Sequence, residues 1–274
     1  MEIKWTVRIP DPNPHSFDHV CEPIIWNNLL YYAFITVDKT KVESGYYGSK
    51  IIVLAIEPDG TSCIQKEYFM SYRQQKGKLL APRDWKFSEN NNQLLLHTGL
   101  TFIISEPDIL KSEKHIQLEE NHVQSEYRFG DKKIKYNQRS KLACFDLPSG
   151  KLLWEQVIKA YLYTDVEVKG DLIFFGTSGK GGAFYCLNLI DGSIVTEYNN
   201  GGASDYCWFG QCVFLKDKKR NLVKINATSM EVMDTLALKN KIPFNSKIFI
   251  HGNSLYVTTL NKKADQLELI CVAI

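Results

Sequence analysis

Long apolar runs are missing from this 274-residue chain, and no stretch approaches the roughly 18 apolar residues that a bilayer-crossing helix needs. Strong charge of one sign is missing as well: 33 Lys and Arg stand against 31 Asp and Glu, a net charge of +2. Nucleic-acid-binding domains concentrate far more basic charge, so the expected partners include no nucleic acid and no membrane. The opening Met1-Glu2-Ile3-Lys4-Trp5-Thr6-Val7-Arg8 lacks the apolar core of a secretory signal, and the expected location is the cytoplasm. No segment carries a helical period with caps. Cysteine numbers seven, an odd count with no Cys-Cys dipeptide, so a disulfide framework is not expected. Cys207 and Cys212 have no second pair at zinc spacing, and His15 and His19 sit among prolines that forbid a helix, so no metal is expected.

What the chain does have is a repeat. Lys141-Leu142-Ala143-Cys144-Phe145-Asp146-Leu147-Pro148-Ser149-Gly150-Lys151-Leu152-Leu153-Trp154 is echoed by Ala183 to Val195, each reading as strand, tight turn and strand. Five rows align on the strand before the turn: Ile51–Ile56, Lys141–Asp146, Ala183–Asn188, Asn221–Asn226 and Glu268–Ala273. Another strand precedes each, including Leu29–Phe34, Gln93–His97 and Gln211–Leu215, all rich in aromatic and β-branched residues. Cys144, Cys186 and Cys271 share one column among apolar neighbours and read as small buried hydrophobes.

A period of about 40 residues made of such units signals a propeller blade or a solenoid repeat. The last row lacks an outer strand, and Ile3–Val7 resembles the outer strand at Leu152–Gln156 with Trp5 and Trp154 in register. Completion of the last blade by the N-terminal segment would leave no exposed sheet edge. The expectation is an all-β, five-bladed β-propeller of four-stranded antiparallel blades, one domain over 1–274, with insertions at 37–48 and 106–139. The longer insertion is crowded with charge, and loops of that length are commonly functional.

The strand–Asp–turn–Gly–strand–Trp pattern resembles the repeat of the quinoprotein-type (PQQ-like) β-propellers, in which a blade commonly reads LxAxDxxxGxxxW. Leu142, Ala143, Asp146, Gly150 and Trp154 match that pattern; Phe184, Asn188 and Gly192 match it loosely. The resemblance covers about half the chain and implies the fold. It does not extend to the family's dehydrogenases, which are larger, exported and in several cases carry an adjacent cysteine pair. No cofactor is therefore expected.

Function must be sought in a site and not in the fold. The loops entering each blade carry Tyr163, Asp165, Tyr206 and Trp208, aromatic and acidic types that interfaces enrich. Glu119, Glu120 and Arg128 of the charged insertion would join them by electrostatic complementarity. The expected function is a non-enzymatic cytoplasmic propeller that binds a protein partner, as an adaptor or inhibitor, toxin neutralisation by an immunity protein being one form of it. The alternative is a lectin or glycosidase, with Asp18, Asp165 and Asp205 as candidate carboxylates. Whether a small ligand occupies an axial channel is left open.

Overall fold

The computed structural model describes residues 1–9, 23–43, 46–61, 63–73, 86–97, 101–104, 115–116, 126–137, 141–158, 160–178, 182–242, 248–261 and 266–274. These residues are all-β. Among them there is no helix, and so none long and apolar enough to cross a membrane.

The strands are β1 (Glu2–Ile9), β2 (Ile24–Trp26), β3 (Leu29–Glu43), β4 (Tyr46–Ile56), β5 (Cys63–Arg73), β6 (Lys86–Asn90), β7 (Gln93–His97), β8 (Thr101–Ile103) and β9 (His115–Ile116). They continue with β10 (Glu126–Phe129), β11 (Lys132–Asn137), β12 (Lys141–Asp146), β13 (Leu152–Val157), β14 (Tyr161–Leu162), β15 (Glu167–Lys169), β16 (Leu172–Ser178), β17 (Phe184–Asn188) and β18 (Ile194–Tyr198). The last are β19 (Gly201–Phe209), β20 (Cys212–Asp217), β21 (Leu222–Asn226), β22 (Val232–Leu236), β23 (Ile248–His251), β24 (Ser254–Asn261) and β25 (Gln266–Ala273).

They pair into six sheets: β2-β3-β4-β5-β9, β6-β7-β8, β10-β11-β12-β13, β14-β16-β17-β18 with β15 also on β16, β19-β20-β21-β22, and β1-β25-β24-β23. Every pairing is antiparallel except the short parallel contact of β5 with β9. The N-terminal strand does complete the last sheet, Val7 standing opposite Leu269 and Trp5 opposite Cys271.

Two sequence expectations change. Among the described residues six sheets stand where five rows were expected, because Gln93–His97 belongs to a sheet of its own and is not the neighbour of Lys141–Asp146. That neighbour is β11, which lies inside the supposed insertion 106–139. The charges there conceal ordinary strand alternation: Glu126 and Lys135 face one another across the ladder, while Tyr127 and Ile134 point into the core. The segment 37–48 is likewise carried by β3 and β4, which continue their ladder through it.

The contacts divide the chain into two compact units, one of Glu2–Asn121 with Asn245–Ile274 and the other containing His122–Phe244. In the first, Tyr31, Ile51 and Val53 pack the β2–β5 sheet on Leu94 and Leu96, and Tyr32, Phe34 and Leu54 pack its other face on Tyr256, Leu269 and Cys271. A buried 2.6 Å hydrogen bond between the Tyr32 and Thr258 hydroxyls adds a directional link to that second contact. In the other unit, one core joins Ile134, Leu142 and Cys144 to Ile173, Phe175 and Tyr185, and a second joins Phe174 and Phe184 to Val213 and Ile225. Cys144, Cys186 and Cys271 are free and buried as their column implied, and burial pushes the Cys186 thiol up to about 11.

One device recurs in both units. The outer-strand Trp154 donates its indole N–H to the Leu189 carbonyl at 2.9 Å and lies flat on Gly192 of the next sheet's turn. Trp5 does the same with the Pro58 carbonyl at 2.9 Å and with Gly60. Both glycines have positive φ, +73° and +77°, and a Cβ at either would stand within 2.7 Å of the indole. The turns themselves are built alike. Gly150, Gly192 and Met230 donate back to the carbonyls of Asp146, Asn188 and Asn226 at 2.8, 2.9 and 2.9 Å. The side chains of those three residues accept from the turn's own N–H groups, which is the role short Asp and Asn side chains fill.

Candidate functional site

The site lies within the unit of residues 122–244, where β10 and β19 are the first strands of two sheets and β14 and β15 share one side of β16 in the sheet between them in sequence. Two short strands share β16: β14 pairs with Thr177 and Ser178, and β15 with Leu172 to Phe174. The segment between them is held against β16 yet outside the ladder. Tyr163 N–H donates to the Gly176 carbonyl at 2.9 Å, and the Thr164 hydroxyl accepts from Gly176 N–H at 2.8 Å while donating to the Asp165 carbonyl at 3.0 Å. This clamp leaves the Asp165 side chain exposed and Tyr163 half-buried.

Tyr206 and Trp208 alternate with Cys207 on β19 and so share one face. That face packs on the preceding sheet, with Tyr206 edge-on to Phe184 and Trp208 edge-on to Phe174, both at 4.9 Å. The Tyr206 hydroxyl reaches 3.5 Å from the carbonyls of Asp165 and Phe174. From the other side, Tyr127 of β10 donates its hydroxyl to Asp165 Oδ1 at 3.3 Å. Trp208 Nε1–H donates to Glu167 Oε2 at 2.7 Å, and the Lys169 ammonium stands 3.4 Å from the centre of the Trp208 ring. The ring quadrupole attracts a cation placed there.

Burial is the main electrostatic influence on the phenols. It pushes the Tyr206 hydroxyl far above its ordinary value, with the Glu167 carboxylate adding to the shift. Tyr163 is raised for the same reason, with Asp205 as the second contributor. Both hydroxyls therefore stay protonated at any ordinary pH. Lys169 moves down, because the desolvation of its ammonium outweighs the attraction of Glu167.

Four of the seven residues expected from the sequence thus come together: Tyr163, Asp165, Tyr206 and Trp208. Arg128 does not join them. It follows Tyr127 on β10, so its side chain points to the opposite face of the sheet, where it is exposed and 3.7 Å from Glu126. Glu119 and Glu120 lie outside the described residues, as do Asp18, His15 and His19. Among the described residues, no three His, Cys, Asp or Glu side chains gather as metal donors.

Tyr127, Glu167 and Lys169 belong to the site and were missed by the sequence reading. A signal for them exists in the inner hairpins, whose first turn residues Gly130, Gly170, Gly210 and Gly252 all have positive φ and recur at a nearly constant interval. Aligned on these glycines, Tyr127, Glu167 and Cys207 occupy one column, which places β10 in the repeat.

The arrangement sets an exposed carboxylate and a half-buried indole, held at its edge, on a base of buried neutral phenols. These are elements of a recognition surface: aromatic anchors beside polar groups of fixed orientation. No known family model matches the chain, and no curated protein sequence matches it. Among solved structures it is similar to BamB from Moraxella catarrhalis, with 9% identity, 99% of each chain covered and a TM-score of 0.46. It is also similar to the computationally designed Ika8 protein, at 7% identity, 99% and 100% coverage and a TM-score of 0.41. The computationally designed Ika4 protein is similar at 11% identity over 55% of this chain and 92% of that one, with a TM-score of 0.39.

Proposed function

We propose that the protein is a cytoplasmic, non-enzymatic binding module of the β-propeller type. In this reading it acts on another protein as adaptor or inhibitor, toxin neutralisation being one such role. One observation carries the reading: Tyr127 of one sheet and Tyr206 and Trp208 of another converge on the segment 163–169, which carries Asp165 and Glu167. Packed repeats need only short connections; here Val166 is buried in the core, while Asp165 beside it is left exposed. The carbohydrate reading would use the Trp208 face as a stacking platform, and that face is covered by Lys169, which favours a partner able to displace a cation.

The test is affinity capture from native lysate with the wild type and with an Asp165→Ala/Trp208→Ala variant, followed by titration of the captured protein. Both substituted side chains are at least partly exposed, so the far-UV circular dichroism should be unchanged. Loss of at least tenfold in affinity, roughly 1.4 kcal/mol, supports the site. Equal affinity of a folded double variant would move the binding surface elsewhere.

A further inference from the structure

We propose that this site receives an arginine side chain of its partner, and that Lys169 is an internal stand-in seated on the Trp208 ring until that arginine displaces it. The inference rests on the protein-binding reading above and adds the chemistry of what is bound.

Charge is the first reason. Asp165 and Glu167 stand beside the phenols and the indole, and Lys169 is the cation the same segment sets against them. Such a surplus of carboxylate complements a basic partner and raises the encounter rate with one. Geometry is the second. Trp208 is fixed at its edge, by Glu167 through the indole N–H and by Phe174 through an 84° edge contact, so its face keeps one orientation whatever lies on it. A cation occupies that face already, at 3.4 Å.

The third reason is how Lys169 is held. It is the last residue of β15, exposed, next to the Gly170 hairpin, and its ammonium sits at the end of a flexible four-carbon stem. Swinging it into water disturbs no backbone pairing. A guanidinium suits the vacated face better than an ammonium, because it is planar, more weakly hydrated and able to stack while its fork reaches a carboxylate. Asp165, exposed and carrying one long hydrogen bond from Tyr127, is the carboxylate with acceptor capacity to spare.

The probe is a capped tetra-arginine peptide, with tetra-lysine and tetra-glutamate of equal length beside it, titrated at fixed ionic strength into the full chain. The readout is the indole N–H resonance of Trp208, assigned by its disappearance in Trp208→Phe. Tetra-arginine should shift this resonance and bind at least threefold more tightly than tetra-lysine. In Lys169→Met, or in Lys169→Gln where a polar side chain is preferred for solubility, tetra-arginine affinity should rise at least threefold. An unmoved Trp208 resonance, equal affinities for the two basic peptides, binding of tetra-glutamate, or weaker arginine binding in both Lys169 variants would each overturn the proposal. Capture of a native partner that depends on Asp165 and Trp208 but is indifferent to Lys169 would also overturn it and leave the protein-binding reading standing. Arginine binding at Trp208 in a chain whose captured partner ignores the Asp165→Ala/Trp208→Ala change would sink the binding-site reading instead.

Discussion

Trp154 and Trp5 perform the same docking in the two units, and the surroundings decide how much each matters. Trp154 is 8% exposed and its bond to the Leu189 carbonyl is buried. Trp5 is half-buried and its bond to the Pro58 carbonyl is exposed to solvent. Geometry is shared while burial differs, so the repeat sets the contact and its environment sets the energy. A carbonyl that loses a buried donor keeps its desolvation penalty, whereas one at the surface finds water.

The largest effect that can test this comparison is expected from Gly192→Ala. The new Cβ would stand 2.4 Å from the buried Trp154 ring at a φ of +73°. Left-handed backbone and overpacking together should cost about 3 kcal/mol, read from the denaturant midpoint. Gly60→Ala meets Trp5 at 2.7 Å with a φ of +77°. The half-exposed ring can shift, so about 2 kcal/mol is expected there. A loss at Gly60 equal to that at Gly192 would break the argument from burial.

Trp154→Phe keeps an aromatic ring and removes the donor, and should destabilise by about 1.5 kcal/mol through the orphaned Leu189 carbonyl. Gly150→Ala isolates the backbone contribution: φ is +68°, but nothing lies within 4 Å of the new Cβ. A loss of about 1 kcal/mol is expected, and a value matching Gly192→Ala would assign both effects to the turn and none to the tryptophan. Trp5→Phe closes the series with a loss under about 0.5 kcal/mol, water replacing the indole at Pro58.

Much of the fold was legible because its determinants are local. Asp146, Asn188 and Asn226 share a column, and each does the same work in its turn. The pairing of Ile3–Val7 with the last sheet could be read from the register of Trp5 with Trp154, since a period-two strand admits one placement of its buried face. The sheet count failed where charge mimics a loop. Lys132, Lys133 and Lys135 flank the buried Ile134, and Glu126 gathers three of the nearby cations, its carboxyl held below the usual range chiefly by Lys135. Alternation persists in β11, but only one residue of its buried face is aliphatic.

In the site, the aromatic and acidic residues near the strand entries could be picked out by type. Their grouping could not, because it depends on β14 and β15 both pairing with β16, an irregularity that no spacing announces. Met230 shows a related limit: it holds the position of Gly150 and Gly192 at a φ of +57°, so the turn is the same although the glycine is gone. Its burial in the second core of that unit offsets the strain.

The ladder between β1 and β25 carries a consequence for how the molecule is made. Glu2 stands opposite Ala273, so the earliest made of these strands pairs with the latest made of them. At roughly 5 to 20 residues per second, β1 would wait on the order of ten seconds to a minute for its partner. Throughout that interval β24 and β25 are unmade, and the apolar side of β1, Val7 and Ile9, has only the β3 and β4 part of its core to enter. The entropy of closing so long a loop grows only logarithmically, so the finished ladder loses little stability by it. What is at risk is the nascent chain, whose waiting strand is free to pair with a neighbour on the same polysome, and whose yield should depend on how quickly synthesis reaches β25.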